Sequence, residues 1–443
     1  MNDTTGRTAG LLRILGVGFG LAVIVGSTLG IGILRTPGLV AGQLSSRTSI
    51  LAVWLVGGLY TLLGSIIFTE LGTMLPEAGG YYVYARKAFG DTVGFAVGWT
   101  DWLTYCAVLG YEAIAIGEFS AMLLPALRPA VKLVAVGVLV LFAALQFAGL
   151  RVSSRFQEIT TAIKFLAFLG LVSACLAYAW SYGPPGAGQA SAVPVGPGLV
   201  GLVIALQSVV ITYGGWQSAL YFTEEDRDPR QNLPRSMIGG VVSVLVIYLL
   251  VNVALLSVLP IAELARSTLP AADAASVIFG SRGGQLITLL SIVSRPPLIN
   301  AILMIGTRIL FAVGRDGLFF KGAALVSSRG TPVAAAVITT AVAAVLVASG
   351  TFQKLVAVAS FFLAVNYCVC CLALAVLRRR EPLLARPFRA WGYPWSAVVV
   401  LLGAVAFLAG VLLGDAPTAV VAIGLLAAGL LGKVLLWRPR TAT

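Results

Sequence analysis

Histidine is absent from the 443-residue sequence, and only 11% of the residues are charged. The first absence excludes histidine proton relays, Ser-His-Asp triads and histidine-ligated metal centres. The second excludes an ordinary soluble domain, in which about a quarter of the residues carry charge. Cysteine is also scarce. Cys106, Cys175, Cys368, Cys370 and Cys371 all fall inside apolar segments, so they read as free, buried, small hydrophobes. The run Cys368-Val-Cys370-Cys371 has no histidine to complete a metal site and no polar setting for thiolates. Neither a metal nor a cofactor is expected. Nor is a cleavable leader, because the first apolar segment is too long for a signal core and no small-residue cleavage site precedes a soluble domain.

What the chain does have is apolar length. Hydrophobic residues make up 59% of it, and the mean hydropathy is +0.97. This composition reads as an all-α polytopic membrane protein, one transmembrane domain over residues 1–443 embedded in a lipid bilayer. Hydropathy places twelve spans near 14–43, 48–72, 92–124, 131–150, 156–180, 198–223, 235–259, 284–313, 332–350, 353–377, 393–413 and 416–437. The first and third are the longest, which leaves room for tilt or a break. Of the 30 Lys and Arg residues, 20 lie in the termini and even-numbered loops, 6 in the odd-numbered loops and 4 inside spans. That asymmetry places both termini in the cytoplasm of a cell (inner) membrane. It also accounts for the net charge of +13 without a nucleic-acid partner.

The first span, Ile14–Gln43, contains Gly26-Ser-Thr-Leu-Gly-Ile-Gly32, three glycines in seven residues. Each interior glycine costs a helix about 1 kcal/mol relative to alanine. The stretch is either a broken helix or a close packing face of small residues. The sixth span decides between these readings. It carries a second mid-span glycine pair in Ile211-Thr-Tyr-Gly-Gly-Trp-Gln217. Spans one and six each open a five-span unit, and an odd unit length inverts the second copy. The expectation is a 5+5 inverted repeat, repeat one about 14–180 and repeat two about 198–377, plus two C-terminal helices about 393–437. Helices one and six are broken at corresponding places, which marks a transporter substrate site.

A broken helix offers free N–H groups at the start of its second half and free carbonyls at the end of its first. A zwitterionic amino acid matches both. Gly30, Ile31 and Gly32 are expected to cradle its carboxylate. Carbonyls near Val25–Thr28 and Ile211–Tyr213 are expected to take its ammonium, so Thr28, Ile211, Thr212, Tyr213 and Gly214 join the candidate substrate site. Lys164, inside the fifth span, has three readings: a fixed cation holding the broken-helix carbonyls where sodium could bind, a titrating group, or a side chain that snorkels to the cytoplasmic side. Arg295 precedes Pro296-Pro297, where a third break is expected. It is a selectivity candidate, or else an ion-pair partner of Glu112 or Glu118. Glu118 is the in-span carboxylate singled out for a proton-linked step, against a packing or ion-pair role. Arg35, one turn beyond the first break on its outer side, is a selectivity or gating candidate that either biases the outer vestibule or pairs with an acidic residue. The segments Glu70–Gly80, Thr223–Pro229 and Arg308–Gly317 read either as an inner gate of exchangeable ion pairs or as capped turns.

Taken together, these residues resemble the amino acid–polyamine–organocation transporters, closest to the L-type amino acid transporters and their bacterial exchangers. The resemblance covers nearly the whole chain. It is carried by Gly30-Ile-Gly-Ile-Leu-Arg-Thr-Pro37, Glu70–Gly80, Thr161-Ala-Ile-Lys164 and Tyr213-Gly-Gly-Trp216, continuing through Thr223-Glu-Glu225 to Asn232-Leu-Pro234. Gly314-Arg-Asp-Gly317 and Arg386-Pro-Phe-Arg-Ala-Trp-Gly-Tyr-Pro394 complete it. The resemblance implies the inverted-repeat fold, alternating access and amino acid transport, commonly by exchange. It implies that Lys164 stands at the place of a sodium ion, hence sodium independence. Ile31 replaces a serine frequent in the branch, and Ile211 an aromatic gate. The Arg295-Pro-Pro run is unlike the small residues expected there. Relatives in animals join a glycoprotein heavy chain through a cysteine in the loop after span three. Leu124–Lys132 has none, so no disulfide-linked partner is expected.

Three function classes follow. The first is a sodium-independent transporter of neutral amino acids, working as an exchanger or a proton-linked symporter. The second is a membrane sensor of the same fold that binds an amino acid without moving it. The third is an intramembrane enzyme, disfavoured because no acid pair or metal-ligand cluster shares a depth. No soluble signalling domain is attached, which weakens the sensor.

Overall fold

The computed structural model describes residues 10–183, 198–350, 352–414 and 416–436. Among them it contains helices and no strand. The first apolar stretch is split. Helix α1 (Val17–Thr28) and helix α2 (Ile31–Ala41) are bent by 45°, with Leu29 and Gly30 extended between them. Helix α3 (Arg47–Met74) starts at Ser46, whose hydroxyl accepts the Ser49 backbone N–H. After the short α4 (Tyr81–Phe89), α5 (Asp91–Leu123) runs unbroken for 33 residues. The third span is therefore long and continuous, about 50 Å against a hydrocarbon core of about 30 Å.

Helices α6 (Val131–Phe147), α7 (Leu150–Tyr182) and α8 (Gly198–Thr212) follow. After α8 the chain turns at 213–215 and continues as a 3-10 helix, Trp216–Phe222. Then come α9 (Pro229–Val258), the short α10 (Ile261–Arg266) and α11 (Pro270–Phe279), α12 (Gly283–Val293) and α13 (Pro296–Arg315). The break at Arg295-Pro-Pro is mild. Ser294 and Arg295 keep right-handed helical angles, and the Ile299 N–H still donates to the Arg295 carbonyl. The prolines remove donors without unwinding the chain. Helices α14 (Val333–Ser349), α15 (Phe352–Arg380), α16 (Trp395–Gly414) and α17 (Ala416–Leu436) complete the described residues. Nine of the described helical segments are long and apolar enough to cross a membrane, and the bent α1–α2 pair makes a tenth. Val333–Ser349 and Ala419–Leu435 are shorter apolar helices, lying where the ninth and twelfth spans are expected.

Burial follows the logic of an apolar solvent. On α7 the polar face, Gln157, Thr161 and Lys164, is buried, while Ile159, Ile163 and Leu166 are exposed. A soluble helix does the reverse. Helix α13 is the most enclosed, with every residue from Ile299 to Gly314 buried. It packs against α1, α5, α7 and α14 and forms the centre around which the broken spans are held.

Candidate functional site

The two broken spans cross at their breaks. Gly215 sits in the left-handed region at φ +113°. A Cβ there would stand 2.7 Å from the Ser27 carbonyl and 2.9 Å from the Thr28 nitrogen. Only glycine satisfies both the backbone angle and this approach. On the other side of the crossing, the Thr36 and Thr212 hydroxyls pair at 2.8 Å. Tyr248 of α9 closes the joint: its hydroxyl lies 2.6 Å from the Thr28 carbonyl and 3.0 Å from the Thr212 carbonyl. One phenol thus bridges the ends of both first halves.

The last carbonyls of α1 can be accounted for one at a time. Val25 accepts the Leu29 N–H at 2.9 Å. Gly26 accepts the Lys164 ammonium at 2.8 Å. Thr28 accepts Tyr248, which leaves the Ser27 carbonyl against Gly215. One turn earlier, the Ala22 carbonyl accepts Thr161 at 3.0 Å and Gln157 at 3.3 Å. Gln157, Thr161 and Lys164 form one face of α7, and Ala22 and Gly26 are one turn apart on α1. The polar stripe of one helix therefore matches the carbonyl row of the other. Lys164 is fully buried and points to the break, not to a membrane surface. Asn300 of α13 extends the network, donating to Gln157 at 2.9 Å and to the Ser153 carbonyl at 3.1 Å.

Facing this electronegative end, α2 begins at Gly30 with no side-chain cap on its first N–H groups. The Ser27 and Thr28 hydroxyls are buried without hydrogen-bond partners. Gly30, Ile31, Gly32, Gly214 and Gly215 are half-buried. Donors, acceptors and spare hydroxyls thus converge on one place, a pattern suited to a small zwitterion.

The other expected residues are placed unevenly. Tyr213 turns away from the break, packs on Trp54 and Tyr248, and donates to the Trp54 carbonyl at 3.1 Å. Only its backbone belongs to the crossing. Ile211 is 53% exposed. Arg295 is buried and paired with Glu112, with its guanidinium over the Phe119 ring. Glu112 is thus the acid that meets Arg295. Glu118 is exposed, as is Arg35, and neither has an ion pair among the described residues.

The three segments read as gate or turns come together at the arginine-rich end of the bundle. Arg308 grips Glu225 through two bonds of 2.8 and 3.0 Å, both groups fully buried. Burial pushes the Glu225 carboxyl up, and Arg308 pulls against that shift. Arg315 meets Glu224 at 2.8 Å and Glu77 at 3.5 Å. Glu224 also accepts the Ala78 N–H, and Thr223 donates to the Glu77 carbonyl. Leu15 and the 225–227 segment exchange backbone bonds of 3.0 Å, which ties the start of the first span to this cluster. Glu70 anchors the Arg386–Pro394 loop by accepting Arg378 and the Ala390 N–H.

Sequence reasoning missed Tyr248, the Ser27 hydroxyl and Gln157. Tyr248 is a lone tyrosine in an apolar helix and sends no local signal. Gln157 could have been found from its helical spacing to Thr161 and Lys164.

Comparison with known proteins gives the family. A family model described as "Amino acid permease" matches residues 20–429. The serine/threonine exchanger SteT of Bacillus subtilis is 27% identical over 92% of this chain and 92% of its own. The b(0,+)-type amino acid transporter 1 of Mus musculus is 27% identical over 88% of this chain and 80% of its own. The large neutral amino acids transporter small subunit 2 of Homo sapiens is 29% identical over 87% of this chain and 73% of its own. The family and these relatives are transporters, not enzymes. With its helices, its crossed breaks and this match over most of its length, the chain belongs to the amino acid permease family of the amino acid–polyamine–organocation superfamily, a group of multi-pass membrane proteins.

Proposed function

We propose that the protein is a sodium-independent transporter of neutral amino acids in a cell (inner) membrane, working by alternating access as an exchanger or a proton-linked symporter. The observation that carries this reading is the crossing of α1–α2 with the broken sixth span. Uncapped N–H groups, the Ser27 carbonyl and two unpartnered hydroxyls meet there. The substrate carboxylate binds the N–H groups of Gly30–Gly32, and its ammonium binds carbonyls of Ser27–Thr28 and Ile211–Tyr213. Thr28, Thr212 and Gly214 shape the rest. Lys164 holds the Gly26 carbonyl through its amine, so no sodium is needed there. Twelve spans in a 5+5 inverted repeat plus two helices, with cytoplasmic termini, fit the two breaks and the split of basic residues. The ion pairs around Glu225 and Glu224 act as the inner gate. Ile211 serves as a small outer lid, Arg35 biases the outer approach, and Arg295 with Glu112 holds α13 against α5. The printed names of the relatives, a serine/threonine exchanger and a large neutral amino acids transporter, support neutral substrates. The lack of cysteine in Leu124–Lys132 supports operation without a disulfide-linked partner.

Reconstitution of the purified protein in liposomes tests the reading. Labelled serine, threonine or leucine should enter without sodium, and faster when unlabelled substrate is preloaded. Saturable binding with no flux under any gradient would return the protein to the sensor class.

A further inference from the structure

The third span holds a carboxyl group that neither the crossing nor the gate uses. Asp101 of α5 is 1% exposed. One of its oxygens accepts the Tyr221 hydroxyl at 2.8 Å, and the other has no hydrogen-bond partner. The groups that face it are Tyr105 on α5, Tyr221 on the 3-10 segment, Tyr81 on α4, and Tyr367 and Cys370 on α15. None of these is a cation. Of the basic groups on the elements packed against α5, Arg128 and Arg379 are exposed, and Arg86, Lys87, Arg315 and Arg378 pair with Asp91, Glu381, Glu224 and Glu70. Arg295 is taken by Glu112, Arg308 by Glu225, Lys132 of α6 by the Ala348 carbonyl, and Lys433 of α17 by the Asp91 carbonyl. Among the described residues no Lys or Arg pairs with Asp101. An ionised carboxylate left so alone inside an apolar bundle is far more costly than a carboxylic acid.

The partner of this carboxyl lies on the segment that joins the crossing to the gate. Tyr221 lies in Trp216–Phe222, a 3-10 helix with poorer hydrogen-bond geometry than an α-helix. Its first end joins the crossing: the Gln217 side-chain carbonyl accepts the Gly215 N–H and the Tyr367 hydroxyl, each at 3.2 Å. Its other end runs into Thr223–Glu225, the acidic side of the gate. Displacement of this segment separates Tyr221 from Asp101 and lets water in.

We propose that Asp101 is a proton-binding site that couples amino acid movement to proton movement through the inner half of the sixth span. This rests on the transport reading above and chooses proton linkage over simple exchange. With the gate closed, Asp101 holds the proton on one carboxyl oxygen and accepts Tyr221 on the other. When the gate opens, the carboxyl meets cytoplasmic water, gives up the proton and stays ionised until it is reloaded. Reloading occurs from the outer, substrate side, through the hydroxyls around Gln217, once the segment has closed the inner gate again.

Two measurements test this. In liposomes with an inward proton gradient, the full-length protein should accumulate labelled serine or leucine. Asp101→Asn should lower that accumulation at least tenfold, although its amide oxygen still accepts the Tyr221 hydroxyl. Accumulation that ignores the gradient in the unmodified protein, or that responds equally in Asp101→Asn, overturns the proposal while transport itself stands. The second measurement is infrared difference spectroscopy of the purified protein. A carboxylic C=O band should be lost in Asp101→Asn and should fade at alkaline pH once substrate is added. If no amino acid moves at all, the transport reading fails, and this band alone decides whether Asp101 binds a proton. The absence of such a band overturns the site.

Discussion

The two broken spans cross at one point but are broken in different ways. In the first, Leu29 and Gly30 are extended between two regular α-helices. Gly30 has ordinary angles and open space before it, with only the Thr28 carbonyl at 4.0 Å from an added Cβ. In the sixth, the chain passes through left-handed Gly215 and emerges as a 3-10 helix pressed against Ser27. The first break is supported from outside, by Lys164 on Gly26 and Tyr248 on Thr28. The second is supported by its own backbone turn, by Gln217 on Gly215 and by the aromatic groups around Trp216 and Tyr221. The difference assigns roles. On the transport reading proposed above, the first break is the receptor, with its donors open. On the same reading the second, which turns on Gly215 and runs into the Thr223–Glu225 ion pairs, is the part suited to move.

Substitutions can break or sharpen this contrast. The largest effect is expected from Gly215→Ala. A left-handed alanine costs about 1–2 kcal/mol, and its Cβ also drives into the Ser27 backbone. Transport should fall at least a hundredfold and thermal stability in detergent should drop together with it. A stable, active variant would remove the claim that the crossing depends on this approach. Lys164→Ala is expected to be next. It leaves the buried Gly26 carbonyl unpaired, a penalty of about 1–3 kcal/mol. Transport should fall more than tenfold with a smaller loss of stability, and near-normal flux would sink the fixed-cation role. The smallest structural effect is expected from Gly30→Ala. Removing backbone freedom from the unfolded chain should leave stability unchanged or raise it by about 0.4–1 kcal/mol, while the new methyl group intrudes before the α2 donors. Substrate affinity, measured by competition in liposomes, should fall about tenfold. A parallel fall in melting temperature would instead make Gly30 a packing residue like Gly215.

Much of this was legible in the chain. The Gly26–Gly32 and Tyr213–Trp216 stretches weaken their helices locally, and local weakness needs no partner to be read. Lys164 was read as an in-span charge without the polar face around it, and the third break expected at Arg295-Pro-Pro is only a mild interruption. What escaped was which group each of these meets. Arg295 was open between Glu112 and Glu118, which differ by less than two turns. Only the rotation of α5 against α12 and α13 buries Glu112 and leaves Glu118 exposed. Tyr248 lies 220 residues from Thr28, and no local pattern joins them. That no cation pairs with Asp101 among the described residues is likewise a property of the assembled bundle.

By itself the sequence determined an apolar helical bundle with two weak points, because hydropathy and glycine content act on each segment alone. Tertiary structure decided that the weak points cross, that one amine and one phenol satisfy most of the freed carbonyls, and that the buried Asp101 carboxyl has no cation among the described residues. Those outcomes depend on which distant groups can reach one another, and a buried carbonyl or carboxyl is satisfied only by what is within bonding distance.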